Sequence, residues 1–253
     1  MLRSPGTEDV HVDLSADGRV VRVPVRAHHE YRNSLRAGVG KHHLIFRLPI
    51  GLTKAGQMEA WEWFRTWAAK LIAEQPLVAR RFMPRIYKSG DTIVVGRRTY
   101  TLHFSYEKRA AHTARLLPEG CIQLRLVETD TTEGQSRAVK TLLSRVIGAD
   151  HYPHIVSRIL DLNEQHFQYQ VRGVYLKYLS SKWGSCSGKG NINLSTRLLF
   201  APDEVIDYVI LHELAHLKEM NHSPKFWGLV RGAMPEYKVH EQWLQEHHHF
   251  CDF

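Results

Sequence analysis

Four residues near the C-terminal end of the chain have the types and spacing to handle a metal ion and water. His212 and His216 stand four apart in the run His212-Glu213-Leu214-Ala215-His216. On an α-helix, positions four apart share a face, with Cβ atoms about 5 to 6 Å from each other. Two imidazoles so placed can grip one Zn2+. Glu213 falls beside that face, too far round to ligate easily but placed to take a proton from the attacking water. Tetrahedral zinc with one open position needs a third protein ligand, and His222 follows six residues after His216. Asn221 tolerates the left-handed conformation that ends a helix. Ser223 and Pro224 read as the N-cap and first position of the next helix. Asn-His-Ser-Pro therefore reads as stop, ligand, restart. The expected cofactor is one catalytic zinc on His212, His216 and His222, with Glu213 as catalytic base. A zinc that only staples the fold would want a fourth protein ligand, for which Cys186 is the cysteine nearest a suitable loop, and it would not need Glu213.

These side chains need a helix to carry them. Pro202 suits its first position, and Asp203 and Glu204 complement the positive end of its dipole. Val205, Ile206, Val209 and Ile210 give it an apolar face, so the helix is predicted to run unbroken through His216. Upstream, residues 174–179 read as a strand and 180–190 as a Gly/Ser-rich loop containing Lys182-Trp183-Gly184-Ser185-Cys186. Asn191, Ile192, Asn193 and Leu194 alternate as a half-buried strand does. Such a strand beside a metal cleft can hydrogen-bond an extended peptide, although an ordinary hairpin packed on the long helix fits the alternation equally. A developing oxyanion needs a further donor, for which Tyr237 and His240 are the candidates, with Lys182 a weaker one.

The remainder of the chain reads as support. Residues 10–14 and 19–25 form a predicted hairpin about a turn at 15–18, and a second pair runs through 34–37 and 42–48. Thr53 caps a helix from about 54 to 75 that Pro76 ends. Its stripe of Trp61, Phe64, Trp67, Ala68, Leu71 and Ile72 belongs to a core. Strands are predicted at 92–95, 99–106 and 122–127, then a polar loop at 129–134, then two helices at 136–147 and 153–167. No internal repeat is visible. The expectation is an α+β protein with a β-rich N-terminal module over 1–130 and a catalytic domain over 131–253.

Composition removes other classes. The 253 residues carry 34 Lys and Arg against 26 Asp and Glu, a formal net charge of +8. A hydrophobic content of 43% excludes a mainly disordered chain. No apolar run approaches the roughly 18 to 20 residues a membrane span requires, and the first residues lack the apolar core of a secretory signal. Cys121, Cys186 and Cys251 are odd in number and far apart, so no disulfide framework and a cytoplasmic location are expected. The basic balance permits association with DNA. His247, His248 and His249 read as exposed helix-end histidines.

Residues 182–186, 190–194, 208–210 and 212–227 resemble the YgjP-like bacterial zinc metallopeptidases, relatives of the SprT and Wss-type metalloproteases. The resemblance covers roughly residues 136–250 and fits the N-terminal half only loosely. It implies His212, His216 and His222 as zinc ligands and Glu213 as base. It also implies a compact zincin-like core with the site on a long helix, a rim strand near 191–194, and a peptide or protein as substrate. Two positions depart from the family pattern: Lys182 stands where arginine is usual, and Ser195-Thr196 where Asn-Trp is common. Lysine lacks the planar fork of arginine, so the local fit there is expected to differ. The metzincin pattern is a weaker match, because Glu219 occupies its glycine position. Zinc-dependent peptide hydrolysis is the expected activity. Hydrolysis of a small amide at the same site, and nucleic-acid binding with a structural zinc, are the alternatives; steep salt dependence would mark the latter.

Overall fold

The computed structural model describes residues 4–16, 19–40, 43–75, 86–248 and 250–253. The chain divides into two compact units, Met1–Pro84 and Arg85–Phe253.

In the first unit, β1 (Gly6–Ala16) and β2 (Arg19–Glu30) form the expected antiparallel pair. β2 also runs parallel to β4 (Leu44–Pro49), and β3 (Arg36–Val39) closes the other edge antiparallel to β4, giving the order β1-β2-β4-β3. Alternation decides which face is buried: Val23, Val25 and Ala27 on β2 meet Leu44, Phe46 and Leu48 on β4. The helix α1 (Lys54–Glu74) is capped by Thr53, whose hydroxyl accepts from the Gly56 N–H at 3.1 Å. It buries Ala60, Phe64, Ala68 and Ile72, every fourth residue, and Phe64 stacks on Phe46 at 4.6 Å. Trp61, Trp67 and Leu71 pack at the margin of this core as expected. Parts of three predicted features, at residues 17–18, 41–42 and 76, lie outside the described residues.

The second unit begins with the same plan. β5 (Thr92–Val95), β6 (Arg98–Glu107), β7 (Thr113–Leu116) and β8 (Cys121–Val127) assemble in the order β5-β6-β8-β7, antiparallel, parallel and antiparallel in turn. The sequence shows no repeat; the topology does. The loop at 129–134, expected as the domain boundary, lies between β8 and the next helix within this unit. That helix, α2 (Thr132–His166), is continuous where two helices were expected, with Pro153 inside it. An interior proline costs about 3 kcal/mol. Ile155, Ile159 and Leu162 beyond it are buried, each worth about 1.5 to 3 kcal/mol, so continuing the helix wins.

A second, smaller sheet comes next: β9 (Gly173–Lys177), β10 (Gly184–Cys186) and β11 (Asn191–Ser195), in the order β10-β11-β9. β11 runs parallel to β9 and antiparallel to β10. A 3-10 turn (Thr196–Phe200) leads into α3 (Asp203–Ala215), α4 (Pro224–Ala233) and α5 (Tyr237–His247). α2 approaches the turn closely: a Cβ on Gly148 would come within 2.8 Å of Thr196, and Ser144 hydrogen-bonds Thr196 at 2.7 Å. The protein is α+β. Among the described residues, no helix is long and apolar enough to cross a membrane.

Candidate active site

α3 is buried through most of its length, Asp207 and Glu213 included, as a helix enclosed by its own domain must be. An ion pair between its buried Asp207 and Arg158 of α2 anchors it, with a 2.6 Å bond from the arginine Nε. Asp203 and Glu204 occupy the first turn as expected, while Pro202 is the N-cap rather than the first helical residue. At the other end the helix stops at Ala215, with His216 as its C-cap in right-handed geometry. The left-handed stop expected at Asn221 is not used, because Asn221 keeps a negative φ. Turn bonds from Leu217, Lys218 and Glu219 back to Leu214 and Ala215 end the helix instead. Ser223 then caps α4, accepting from the Phe226 N–H at 3.3 Å, with Pro224 at the first position.

This stop and restart brings His222 back against α3. The nitrogen donors of His212, His216 and His222 lie within 4.8 Å of one another. The Nε2 atoms of His212 and His222 are 3.0 Å apart. The His216 Nδ1–H donates to the Glu219 carbonyl at 3.0 Å, which turns its Nε2 toward the other two rings. Burial, reinforced by the two neighbouring imidazoles, lowers the pKa of His212 to about 3, so it is held neutral as a metal ligand must be. Three imidazole nitrogens at this spacing fit a divalent ion of the zinc type. Cys186 is not part of the cluster. Phe226 forms the floor, its ring 4.5 to 4.8 Å from all three imidazoles and fully buried.

Glu213 is 5% exposed, and its Oε2 has no hydrogen-bond partner. Burial pushes its pKa up to about 8, against the Lys182 charge and the Cys186 backbone, which both favour the carboxylate. Its room is made by Gly184 on β10: a Cβ there would sit 2.6 Å from Oε1. No signal in the sequence marks Gly184 or Phe226 beyond their presence in the motifs, since both act through contacts between separate elements.

Tyr237 and His240 stand in a second layer. Tyr237 stacks on Trp227 at 5.2 Å, and Trp227 stacks on His222 at 5.6 Å. His240 faces Tyr208 at 6.5 Å, and Tyr208 faces His212 at 6.0 Å. The rim strand requires correction. Asn191, Ile192, Asn193 and Leu194 lie on β11, whose two edges are already paired with β9 and β10, so no further strand can add there. The free edge nearest Glu213 belongs to β10. At the end of α5, the His247 and His248 Nδ1–H groups donate to the Trp243 and Gln245 carbonyls. His249 lies outside the described residues.

Three imidazoles at the end of one helix and its adjoining turn, with a buried carboxylate beside them, define a metallohydrolase-type centre. The YgjP-like family, metallopeptidase domain, matches residues 36–247, and the chain belongs to that family. The match begins well upstream of the segment in which the sequence resemblance is strongest. Membership implies a metal and hydrolase chemistry of the metallopeptidase class. A relative from Escherichia coli K12, named UTP pyrophosphatase, is 27% identical over 82 residues, which is 32% of this chain and 49% of the relative. The chain thus spans about half the length of that relative. Two solved zymogens are also similar. Pyrococcus abyssi abylysin is 26% identical with a TM-score of 0.34, over 36% of this chain and 93% of that one. Methanocaldococcus jannaschii jannalysin is 23% identical with a TM-score of 0.33, over 36% and 94%. Both are described as metallopeptidase zymogens.

Proposed function

We propose that this protein is a zinc-dependent endopeptidase that acts in the cytoplasm, with His212, His216 and His222 holding one zinc ion and Glu213 as general base. The observation that carries this reading is a buried carboxylate, one of whose oxygens has no hydrogen-bond partner, beside three converging imidazoles. Zinc in that donor set supplies a Lewis acid that makes water nucleophilic near neutral pH. Glu213, with its pKa raised to about 8 by burial, is tuned to hold a proton and to release it in that same range. It takes the proton from the attacking water and passes it to the departing amine. Zinc binding raises the positive charge near the carboxylate and favours its ionised form. The substrate lies extended along the free edge of β10, where main-chain hydrogen bonding carries its scissile bond past Glu213. Tyr237 and His240 are the candidate donors to the developing oxyanion, a role that requires them to reach past Trp227 and Tyr208, against which they stack.

The test is zinc stoichiometry with peptide cleavage on the wild type and two variants. Glu213→Gln keeps zinc and loses turnover; His222→Ala loses both. Turnover retained in Glu213→Gln removes the base and with it this mechanism. A second reading comes from the name of the Escherichia coli relative and from the Lys182 charge beside Glu213. A nucleoside triphosphate would find in Lys182 a counter-charge for its phosphates, and attack by the same water would cleave a phosphoanhydride. Release of pyrophosphate from UTP by the wild type, without peptide cleavage, decides for that substrate class.

A further inference from the structure

We propose that Arg197 is a positioning residue for the substrate side of the site, holding β10 and its leading loop in place through the C-terminal segment. The proposal rests on the hydrolase reading above for its effect on turnover, and on geometry alone for the clamp.

Arg197 sits in the 3-10 turn after β11 and is 8% exposed. A guanidinium so buried is tolerated only when its donors are met. All three of its nitrogens donate to backbone carbonyls: Nη1 to Ser180 at 2.9 Å, Nε to Cys251 at 2.8 Å and Nη2 to His248 at 2.8 Å. Its flat face lies over Trp183 at 4.9 Å. One planar group therefore joins the turn, the loop before β10 and the segment after α5. Gly184, whose missing side chain makes the room for Glu213, is the next residue after Trp183.

Neighbouring contacts give the clamp a fixed base. The Ser195 N–H donates to the Trp183 carbonyl at 2.8 Å, and the Ser195 hydroxyl donates to the Leu179 carbonyl at 3.1 Å. The C-terminal segment is fastened a second time. The Asp252 carboxylate accepts from Lys140 of α2 at 2.6 Å and from the Tyr178 hydroxyl at 3.3 Å. Phe253 is buried edge-on against Phe200 at 4.9 Å. Arg197 holds the Ser180 carbonyl and lies against the ring of Trp183, both in the stretch that leads into β10. The fork geometry of arginine is suited to that task, and a lysine at the same place offers no such plane.

The test uses the full-length, zinc-loaded protein and three variants: Arg197→Lys, Arg197→Ala and Asp252→Asn. Zinc content, amide hydrogen exchange by segment, and kcat and KM on peptide are measured together. In Arg197→Lys, exchange over residues 180–186 accelerates by at least about tenfold while α3 keeps its protection and zinc stays bound. Turnover falls by about 10- to 100-fold in kcat, because the edge that presents the substrate is misplaced. Added guanidinium restores part of the turnover of Arg197→Ala. Asp252→Asn gives a smaller loosening of the same segments, and it carries the test if the arginine variants do not fold. Unchanged exchange over 180–186 with zinc in place overturns the proposal. So does an equal loosening of α2 and α3, which makes Arg197 a general support of the fold. If the wild type cleaves no peptide but exchange responds as described, the clamp stands and the peptidase reading falls.

Discussion

Residues 6–74 and 92–166 are folded on one plan, and only the second leads to a site. Each has four strands with the outer pairs antiparallel and the central pair parallel, and then a helix. The helix starts are alike in detail. Thr53 and Thr131 cap them by accepting from Gly56 and Gly134 at 3.1 and 3.0 Å, and Gln57 and Gln135 reach back to the Leu52 and Asp130 carbonyls at 3.3 Å each. Each sheet also carries one glutamate held by two arginines: Glu30 by Arg32 and Arg47, and Glu107 by Arg109 and Arg125. The two modules differ in the length of the helix: α1 has 21 residues and α2 has 35. The extra length of α2 bears Ile155, Ile159 and Leu162, and it bears Arg158, which pairs with Asp207 of α3. Tyr152 near its middle donates to the Val174 carbonyl of β9 at 3.1 Å. The shared module is a scaffold, and the added helical turns are what let a small sheet and the histidine helix assemble on it.

Matched substitutions of one buried isoleucine in each module test that statement most strongly. Ile72→Ala in α1 and Ile155→Ala in α2 each remove a side chain that is 4% or less exposed. Each costs about 2 to 5 kcal/mol of stability. Only Ile155→Ala should also lower zinc affinity and turnover, because the α2 extension carries the site. Chemical denaturation followed by zinc titration separates the two; an equal loss of zinc affinity in Ile72→Ala breaks the comparison.

Glycines give the next contrast. Gly184→Ala places a methyl 2.6 Å from the Glu213 carboxylate, whereas Gly38 in the first module has nothing within 4 Å of the corresponding position. Overpacking at Gly184 costs about 1 to 3 kcal/mol. The displaced base lowers kcat by about 100-fold. Gly38→Ala leaves kcat unchanged. Peptide cleavage with thermal melting of both variants checks this.

Metal removal exposes the titration of the second module's cluster. With the ion stripped, His212 at about 3, against 6.5 in the unfolded chain, contributes stability above pH 6.5 that is lost as pH falls toward 3. Burial lowers His216 in the same direction. Glu213 runs oppositely: raised from 4.5 to about 8, it contributes fully below pH 4.5 and loses that contribution as pH rises through 8. The metal-free protein should therefore lose stability on both the acid and the alkaline sides. Glu213→Gln should flatten the alkaline side alone. Melting temperatures of both metal-free proteins across the range from about pH 4 to about pH 9 measure it, and an unchanged alkaline slope in the variant contradicts the burial of that carboxylate.

The cluster is legible in the sequence because chemistry restricts residue type and a single helix fixes the spacing of His212, Glu213 and His216. His222 is legible through Ser223-Pro224, a local restart signal. What escapes is set by register between distant segments. β10 reads as loop because three residues of Gly-Ser-Cys carry no alternation, and so β11 is taken for the edge of a sheet in which it is the central strand. Arg197 gives no signal, since its partners at Ser180, His248 and Cys251 are carbonyls, which every residue has. The duplicated plan is hidden for a related reason. Sheet alternation survives complete exchange of apolar types, so Val25 and Ala27 in one module and Tyr100 and Leu102 in the other serve alike. α2 divides at Pro153 on a sequence reading because local propensity outweighs, in a short window, the burial gained several turns later.

The smallest effect belongs to the feature the modules share most closely. Thr53→Ala and Thr131→Ala each remove a hydroxyl that satisfies one N–H of the first helical turn. Each should cost about 1 kcal/mol, since an alanine N-cap leaves that donor to water. The two losses should be equal within about 0.5 kcal/mol and additive, because the sites have no partner in common. Neither should alter zinc content. Denaturant titration of the two single variants and the double variant measures this. A loss of zinc in Thr131→Ala, absent in Thr53→Ala, would show that the start of α2 already feels the site more than 70 residues downstream, at His212, and that the helix start is part of the catalytic machinery as well as of the scaffold.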